Sequence, residues 1–293
     1  MFIVKYKTIF ISISLFLVAL SFIMVGKFGI KKGIDFTGGT VVETTYANDD
    51  PSLIAASVFE DANIKLYKTG DKAYKFVSPL SYEDLSAQIT TILPKDAHPY
   101  TETNVTSVGP TMGSEMTKKA IIAIIIVVFA ILLFIAFAFR EVSYPVSSWK
   151  YGVIAMVTLV HDITVPTGAY VWLSYAKGAQ IDTLFVVALL TILGVSISDK
   201  IVVFDRIREN LKLSSHKKDF GEIVGMSLKQ TFTRSINTSV TVVLALLALY
   251  VYGPAATKFF SLTLMLGMIV GTYSSIFVAS PLLVVWNNFQ SRK

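Results

Sequence analysis

Apolar positions gather into six blocks along the chain, at 8–26, 118–139, 151–175, 181–204, 235–252 and 259–286. Each is near the roughly 20 residues that a helix needs to cross a bilayer, which predicts six transmembrane helices. The first block follows Lys5 and Lys7, and Ala19-Leu20-Ser21 loosely resembles a cleavage site. Its apolar run is longer than the roughly 7–15 residues of a leader core, so it predicts an uncleaved anchor.

Between the first two blocks the pattern changes to short runs typical of a folded domain. Gly38–Ala47, rich in Thr, Val and Tyr, predicts a strand. Asp49–Asn63 opens on Asp-Asp-Pro-Ser and carries Leu53, Ile54, Val58 and Phe59 at helical spacing. Ile64–Lys68 and Ala73–Ser78 flank Thr69-Gly70-Asp71-Lys72, a hairpin signal. Ser81–Leu93 places Leu85, Ile89 and Ile92 on one face, behind a Ser81 cap with Asp84 three residues on, and Pro94 ends it. Tyr100–Val108 alternates as a last strand. The order strand, helix, strand, strand, helix, strand predicts a ferredoxin-like α+β domain. Gly33, Gly38 and Gly39 lead into it and Gly109-Pro110 leads out, so both ends are expected to be stiff hinges that pass helix movement into the domain. The expected domains are 1–33, the first helix with its hinge; 34–112, the soluble domain; and 113–293, a five-helix bundle.

Composition agrees with a polytopic α-helical membrane protein: 53% of residues are hydrophobic and the mean hydropathy is +0.62. The net charge of +6 also orients the chain. Lys5, Lys7, Arg140, Lys150, the basic segment 205–234, and Arg292-Lys293 all fall on one side if six spans alternate. That side is expected to be cytoplasmic, with both termini on it and residues 34–112 extracytoplasmic. A basic segment flanking spans reads as anchoring on anionic lipid rather than as a nucleic-acid site. The chain has no cysteine, and its soluble domain shows no metal-spaced histidine cluster, Gly-rich phosphate loop or Ser-His-Asp arrangement. Neither an enzyme nor a bound cofactor is expected, and the soluble domain is assigned binding or mechanical coupling.

The candidate chemistry lies inside the spans, where ionisable residues are costly and by default functional. His161-Asp162 falls near the middle of the third block. Two readings stay open for it, a packing contact satisfied by neighbouring helices or a place in a polar relay. Asp199 lies in the apolar stretch Leu190–Asn210, about 9 Å of helix rise before Asp205. Arg234, at the inner start of the fifth block, is expected at similar depth. On that block Thr231, Arg234, Thr238 and Thr241 form a polar stripe, as expected against a bundle interior. Burial favours a protonated carboxyl and a nearby guanidinium favours the carboxylate, so making and breaking an Asp199–Arg234 pair would change proton affinity. A static ion pair, or an Arg234 that extends to the interface, would leave the same spacing. Gly267-x-x-x-Gly271 and Ser274-Ser275 in the last block permit close helix approach.

Four stretches, in order, resemble the SecD/SecF family of the RND superfamily: GIDFTGGT at 33–40, VGPTMGSE at 108–115, ALLTILGVSISDKIVVFDRIREN at 188–210, and LKQTFTRSINTSVTV with the later FSLTLMLGMIVGTYSSIFVAS. The resemblance implies a six-helix RND-type half in the bacterial inner membrane that pairs with a SecD subunit and associates with the SecYEG channel. It would use the proton gradient, with the proton as coupling ion, to promote export of polypeptides. The family's intramembrane aspartate falls on Asp199, its arginine on Arg234 and its His-Asp pair on His161-Asp162. Where the family usually carries Tyr, Asn and a small polar residue, this chain has Val195, Ser198 and Lys200. Lys200 is the departure of most consequence. Neighbouring helix residues point about 100° apart, so it need not touch Asp199, but a contact would hold that carboxylate ionised. Two other functions fit parts of the pattern: a scaffold or chaperone subunit of the channel, and an exporter of small hydrophobic compounds.

Overall fold

The structure, a computed structural model, describes residues 2–48, 58–70, 72–138, 148–214 and 218–290. Its elements in chain order are α1 Phe2–Lys5, α2 Lys7–Phe28, α3 Ile34–Thr37, β1 Gly39–Tyr46, β2 Lys65–Gly70, β3 Ala73–Ser78, α4 Tyr82–Ile92 and β4 Tyr100–Val108. There follow α5 Pro110–Ala138, α6 Ser148–Lys177, α7 Thr183–Leu213, α8 Phe220–Tyr252, α9 Ala255–Tyr273, a π-helical segment Ser274–Ala279, and α10 Ser280–Gln290. Six helical stretches among the described residues are long and apolar enough to span a membrane: Lys7–Phe28, Pro110–Ile135, Trp149–Lys177, Thr183–Leu213, Phe220–Tyr252 and Ala256–Phe289. The chain is therefore a multi-pass helical membrane protein. Several helices run past the predicted spans. The basic segment expected as a loop over 205–234 is mostly helix, since α7 continues to Leu213 and α8 starts at Phe220 behind an Asp219 cap that accepts from the Gly221 N–H at 2.9 Å.

One compact unit comprises Ile30–Ile122 with Leu173–Thr183. It contains a four-stranded sheet in the order β2-β3-β1-β4, with every neighbouring pair antiparallel. The central strand β1 is buried on both faces, which explains why its Thr40, Val41, Val42 and Thr44 are all inaccessible. On one face Val42 and Tyr46 join Phe59, Ile64, Tyr74, Phe76, Leu85, Ile89 and Leu93; on the other, Val41 and its cross-strand partner Val77 meet Ile34. Burying each such aliphatic or aromatic side chain contributes about 1.5–3 kcal/mol before entropy is counted. α4 begins where the sequence predicts: the Ser81 hydroxyl accepts from the Asp84 N–H at 3.2 Å, and Leu85 and Ile89 are the buried positions of its inner face. The helix predicted over Asp49–Asn63 lies mostly outside the described residues; 58–61 are helical.

The entry to the sheet is strapped to the segment that begins α7. The Ile181 N–H donates to the Lys31 carbonyl at 2.9 Å, and the Gly33 N–H donates to the Ile181 carbonyl at 2.8 Å. Asp35 Oδ2 then accepts from the Thr183 N–H at 2.9 Å, so a carboxylate from the hinge caps the first turn of α7. Of the predicted hinge residues, Gly33 sits in this strap and Gly38 and Gly39 turn the chain from α3 into β1. Gly109 joins β4 to α5, and Pro110 takes the first position of α5, where its missing N–H costs nothing. Gly38 and Gly39 have φ of 76° and 126°, conformations that disfavour any Cβ.

The second unit comprises Met1–Gly29, Ala123–Trp172 and Leu184–Lys293. Its apolar core runs through Tyr151, Ile154 and Leu159 of α6, Leu193, Ile197, Val203, Phe204 and Ile207 of α7, Ile223, Val224 and Leu228 of α8, and Leu283 of α10. Gly267 and Gly271 of α9 give the predicted close approach: a Cβ at Gly267 would collide with Ile192, and one at Gly271 would lie 3.2 Å from Ser196 Cβ. Just beyond them the helix widens into the π-helical segment, with Ser274 and Ser275 both buried and donating to the Gly271 carbonyl.

Candidate functional site

α7 carries two polar faces side by side. Ser196 and Lys200, four residues apart, lie on one stripe and meet α6. Lys200 Nζ donates to Asp162 Oδ2 at 2.5 Å and to Ser196 Oγ at 2.5 Å, and the Ser196 hydroxyl donates to the same Asp162 oxygen at 2.5 Å. The other carboxylate oxygen, Oδ1, lies 2.9 Å from His161 Nδ1. With the carboxylate ionised, this arrangement requires the imidazole to donate through Nδ1–H. His161 Nε2 is buried and without a hydrogen-bond partner among the described residues. Lys200 and Asp162 are both 0% exposed.

Asp199, the next residue along, faces α8 instead. Its Oδ1 accepts from the Ser235 hydroxyl at 2.5 Å, while its Oδ2 is buried with no hydrogen-bond partner among the described residues. This carboxylate lines a cavity of about 220 Å³ with Ser196 and Ser198 of α7, Arg234, Thr238 and Ser239 of α8, and Gly271 and Thr272 of α9. Ser239 and Thr272 hydrogen-bond to each other at its edge.

The structure brings Asp199 and Arg234 to one cavity, as their predicted depths require, but among the described residues no ion pair joins them; Ser235 takes the near oxygen. The predicted polar stripe is also rotated. Thr231 is buried, whereas Arg234, Thr238 and Thr241 are exposed, because α8 turns Ser235 and Ser239 toward its neighbours. His161 and Asp162 do form a polar cluster, and its principal partner is Lys200, the residue that sequence reasoning set beside Asp199. Spacing held a partial signal for this arrangement: Ser196 and Lys200 recur at i, i+4 and so share a face, while Asp199 lies about 100° from Lys200.

Beyond the cavity the two helices are clamped at their basic ends. Buried Asn210 donates through Nδ2 to Ser227 Oγ and to Gln230 Oε1, each at 2.8 Å. The charged residues around it pair locally, Arg206 with Glu209 at 2.6 Å and Arg208 with Asp205 at 3.6 Å. No group of three or more His, Cys, Asp and Glu side chains able to hold a metal ion occurs among the described residues.

Comparison with known proteins places this arrangement in a family. The family model described as "Protein export membrane protein SecD/SecF, C-terminal" matches residues 88–289, and the "SecD/SecF GG Motif" matches 23–50, the strap and the Gly38-Gly39 turn. A relative from Thermobaculum terrenum, named "Protein translocase subunit SecF", is 40% identical over 98% of this chain and 94% of its own length. One of the same name from Anaerolinea thermophila is 34% identical over the same shares. Among solved structures, SecDF of Thermus, titled a translocon-associated membrane protein, superposes with a TM-score of 0.82 at 32% identity. That match covers 97% of this chain and 38% of the SecDF chain; the super-membrane-facing form of SecDF gives 0.69 over 99% and 38%. The Gly38-Gly39 turn, the acid-bearing helix α7 and the helices around its cavity all fall within the matched segments, and the chain belongs to the SecD/SecF family of protein export membrane proteins.

Proposed function

We propose that this chain is an accessory subunit of the Sec protein translocase that uses the proton motive force to promote export of polypeptides across the bacterial inner membrane. Asp199 is the proton acceptor and Arg234 its switchable partner. The observation that carries this reading is the half-satisfied Asp199: one carboxylate oxygen is held by Ser235, the other is buried without a hydrogen-bond partner among the described residues, and the residue lines a cavity that Arg234 also lines. A cavity of this size has room for several waters, and Ser198, Arg234, Thr238 and Ser239 among its lining residues offer them hydrogen-bond partners, so water could carry a proton to a carboxyl inside the bilayer. Protonation would release Asp199 from any demand for a counter-charge, and ionisation would draw the Arg234 guanidinium toward it. Each state then favours a different spacing of α7 and α8, so a proton can drive a movement.

The names of the relatives support the export assignment. The match to 38% of the SecDF chain supports a SecD-like partner supplying the remainder of that assembly. The SecYEG channel, the exported polypeptide and anionic lipid at the basic ends of α7 and α8 complete the partners in this reading. The β2-β3-β1-β4 order supports a ferredoxin-like domain, which the charge asymmetry puts on the extracytoplasmic side with both termini cytoplasmic. The test is export of a reporter polypeptide from vesicles carrying the translocase, with and without a proton gradient. Asp199→Asn is expected to reduce gradient-stimulated export to the level seen without a gradient while assembly is retained. Full stimulation in that variant would sink the mechanism.

A further inference from the structure

Two carboxylates lie within the spans of this bundle, Asp162 on α6 and Asp199 on α7, and their surroundings differ in kind. Asp162 has both oxygens occupied, Oδ1 by His161 and Oδ2 by Lys200 and Ser196, and both it and Lys200 are wholly inaccessible. Asp199 has one oxygen buried without a hydrogen-bond partner among the described residues, and the residue lines a cavity. The ionisable groups within hydrogen-bonding distance of Asp162 are His161 from its own helix and Lys200 from α7, and Ser196 of α7 completes the set. Charge bookkeeping closes inside this cluster: one carboxylate and one ammonium cancel. A second cation on His161 would leave a bare N–H at the buried and unpartnered Nε2.

We infer that the Lys200 ammonium occupies the place of an exchangeable proton on Asp162, so that Asp162 stays ionised and closed to proton exchange and Asp199 is left as the acid that cycles. Lys200 is in this sense a specificity-determining residue for proton coupling, because it fixes which of the two intramembrane carboxyls takes part. The inference rests on the reading of Asp199 given above, but it makes a separate claim about Asp162. Ser196 joins the two environments, since it lines the Asp199 cavity and its hydroxyl donates to Asp162. Without the ammonium, a proton arriving through the cavity would find a second carboxyl one hydroxyl away.

Infrared spectroscopy of the full chain in lipid vesicles at neutral pH tests this, because the carbonyl stretch of a protonated carboxyl is separate from that of a carboxylate whether or not solvent reaches the group. Replacing the pair together, Asp162→Asn with Lys200→Met, leaves no charge unpaired and is expected to remove no protonated-carboxyl band present in the wild type. Loss of such a band would overturn the inference. Lys200→Met combined with His161→Asn removes both cationic partners while the asparagine amide keeps a donor beside Asp162, and this variant is expected to gain one protonated carboxyl per chain. The gain should vanish when Asp162→Asn is added. A variant that assembles without the gain would also overturn the inference, and if it does not assemble the paired replacement decides. Asp199→Asn, measured alongside, reports on Asp199 alone, so failure of the proton-acceptor reading and failure of this one give different spectra.

Discussion

Asp199 and Lys200 are adjacent in the chain and serve different helices: Asp199 takes the Ser235 hydroxyl of α8, and Lys200 donates to Asp162 of α6. A rotation of about 100° per residue makes this division unavoidable once either contact is set. The ion pair therefore fixes how α7 is turned about its axis, and with it the direction in which Asp199 points.

Breaking that pair from one side leaves a buried charge alone. Lys200→Met is expected to destabilise the protein by about 3–5 kcal/mol, whereas Asp162→Asn with Lys200→Met together should cost much less. Unfolding in detergent micelles measures both, and additive losses would show that the two residues do not form an energetic unit.

The Asp35 cap should be visible at the start of α7. Asp35→Ala removes the acceptor for the Thr183 N–H and is expected to cost about 0.5–2 kcal/mol locally. Hydrogen exchange at residues 183–187 should quicken by several-fold, with the sheet unaffected and Asp35→Asn intermediate. Unchanged exchange would show that the contact carries no weight.

Hinge glycines should differ sharply in tolerance. A Cβ at Gly38 would lie 2.7 Å from Pro110 Cα, and one at Gly39 would lie 2.5 Å from the Ser78 carbonyl oxygen, both backbone atoms that cannot swing away. A Cβ at Gly109 would meet nothing within 4 Å. Gly38→Ala and Gly39→Ala are expected to lose several-fold in membrane accumulation, and Gly109→Ala to stay near the wild-type level, as read by immunoblot of membrane fractions.

Tyr46 gives the sheet a pH limit. Burial pushes its phenol above the ordinary value of about 10, so the unfolded chain ionises it before the folded one does. Its contribution to stability is therefore intact below about pH 10 and is lost as pH rises beyond that. Tyr46→Phe should flatten this alkaline loss while changing neutral stability by no more than about 1 kcal/mol, measured by hydrogen exchange of β1 across pH.

Much of this architecture was legible because it depends on local pattern. Six apolar blocks of bilayer length predict the helices, and the Ser81 cap, the paired runs Ile64–Lys68 and Ala73–Ser78 and the Tyr100–Val108 alternation predict elements found at or close to those places. Depth along a helix was also legible, which is why Asp199 and Arg234 were expected in one region and line one cavity. Helix rotation was not. Whether Lys200 belonged to Asp199 or to Asp162 depends on which face of α7 meets α6, and a one-residue difference in sequence is a quarter-turn in space. The Asp35 cap was hidden for another reason: its partner, Thr183, lies 148 residues away, and a carboxylate beside a glycine turn carries no mark of a distant helix end.

The strap between Lys31–Asp35 and Ile181–Thr183 also sets an energy scale. Two neutral hydrogen bonds and one to a carboxylate are together worth about 3–5 kcal/mol. One elementary charge crossing 100 mV does work of about 2.3 kcal/mol. On the proposed function, the strap is matched to its drive: the work of one proton crossing that potential falls short of its strength, and that of two is comparable with it.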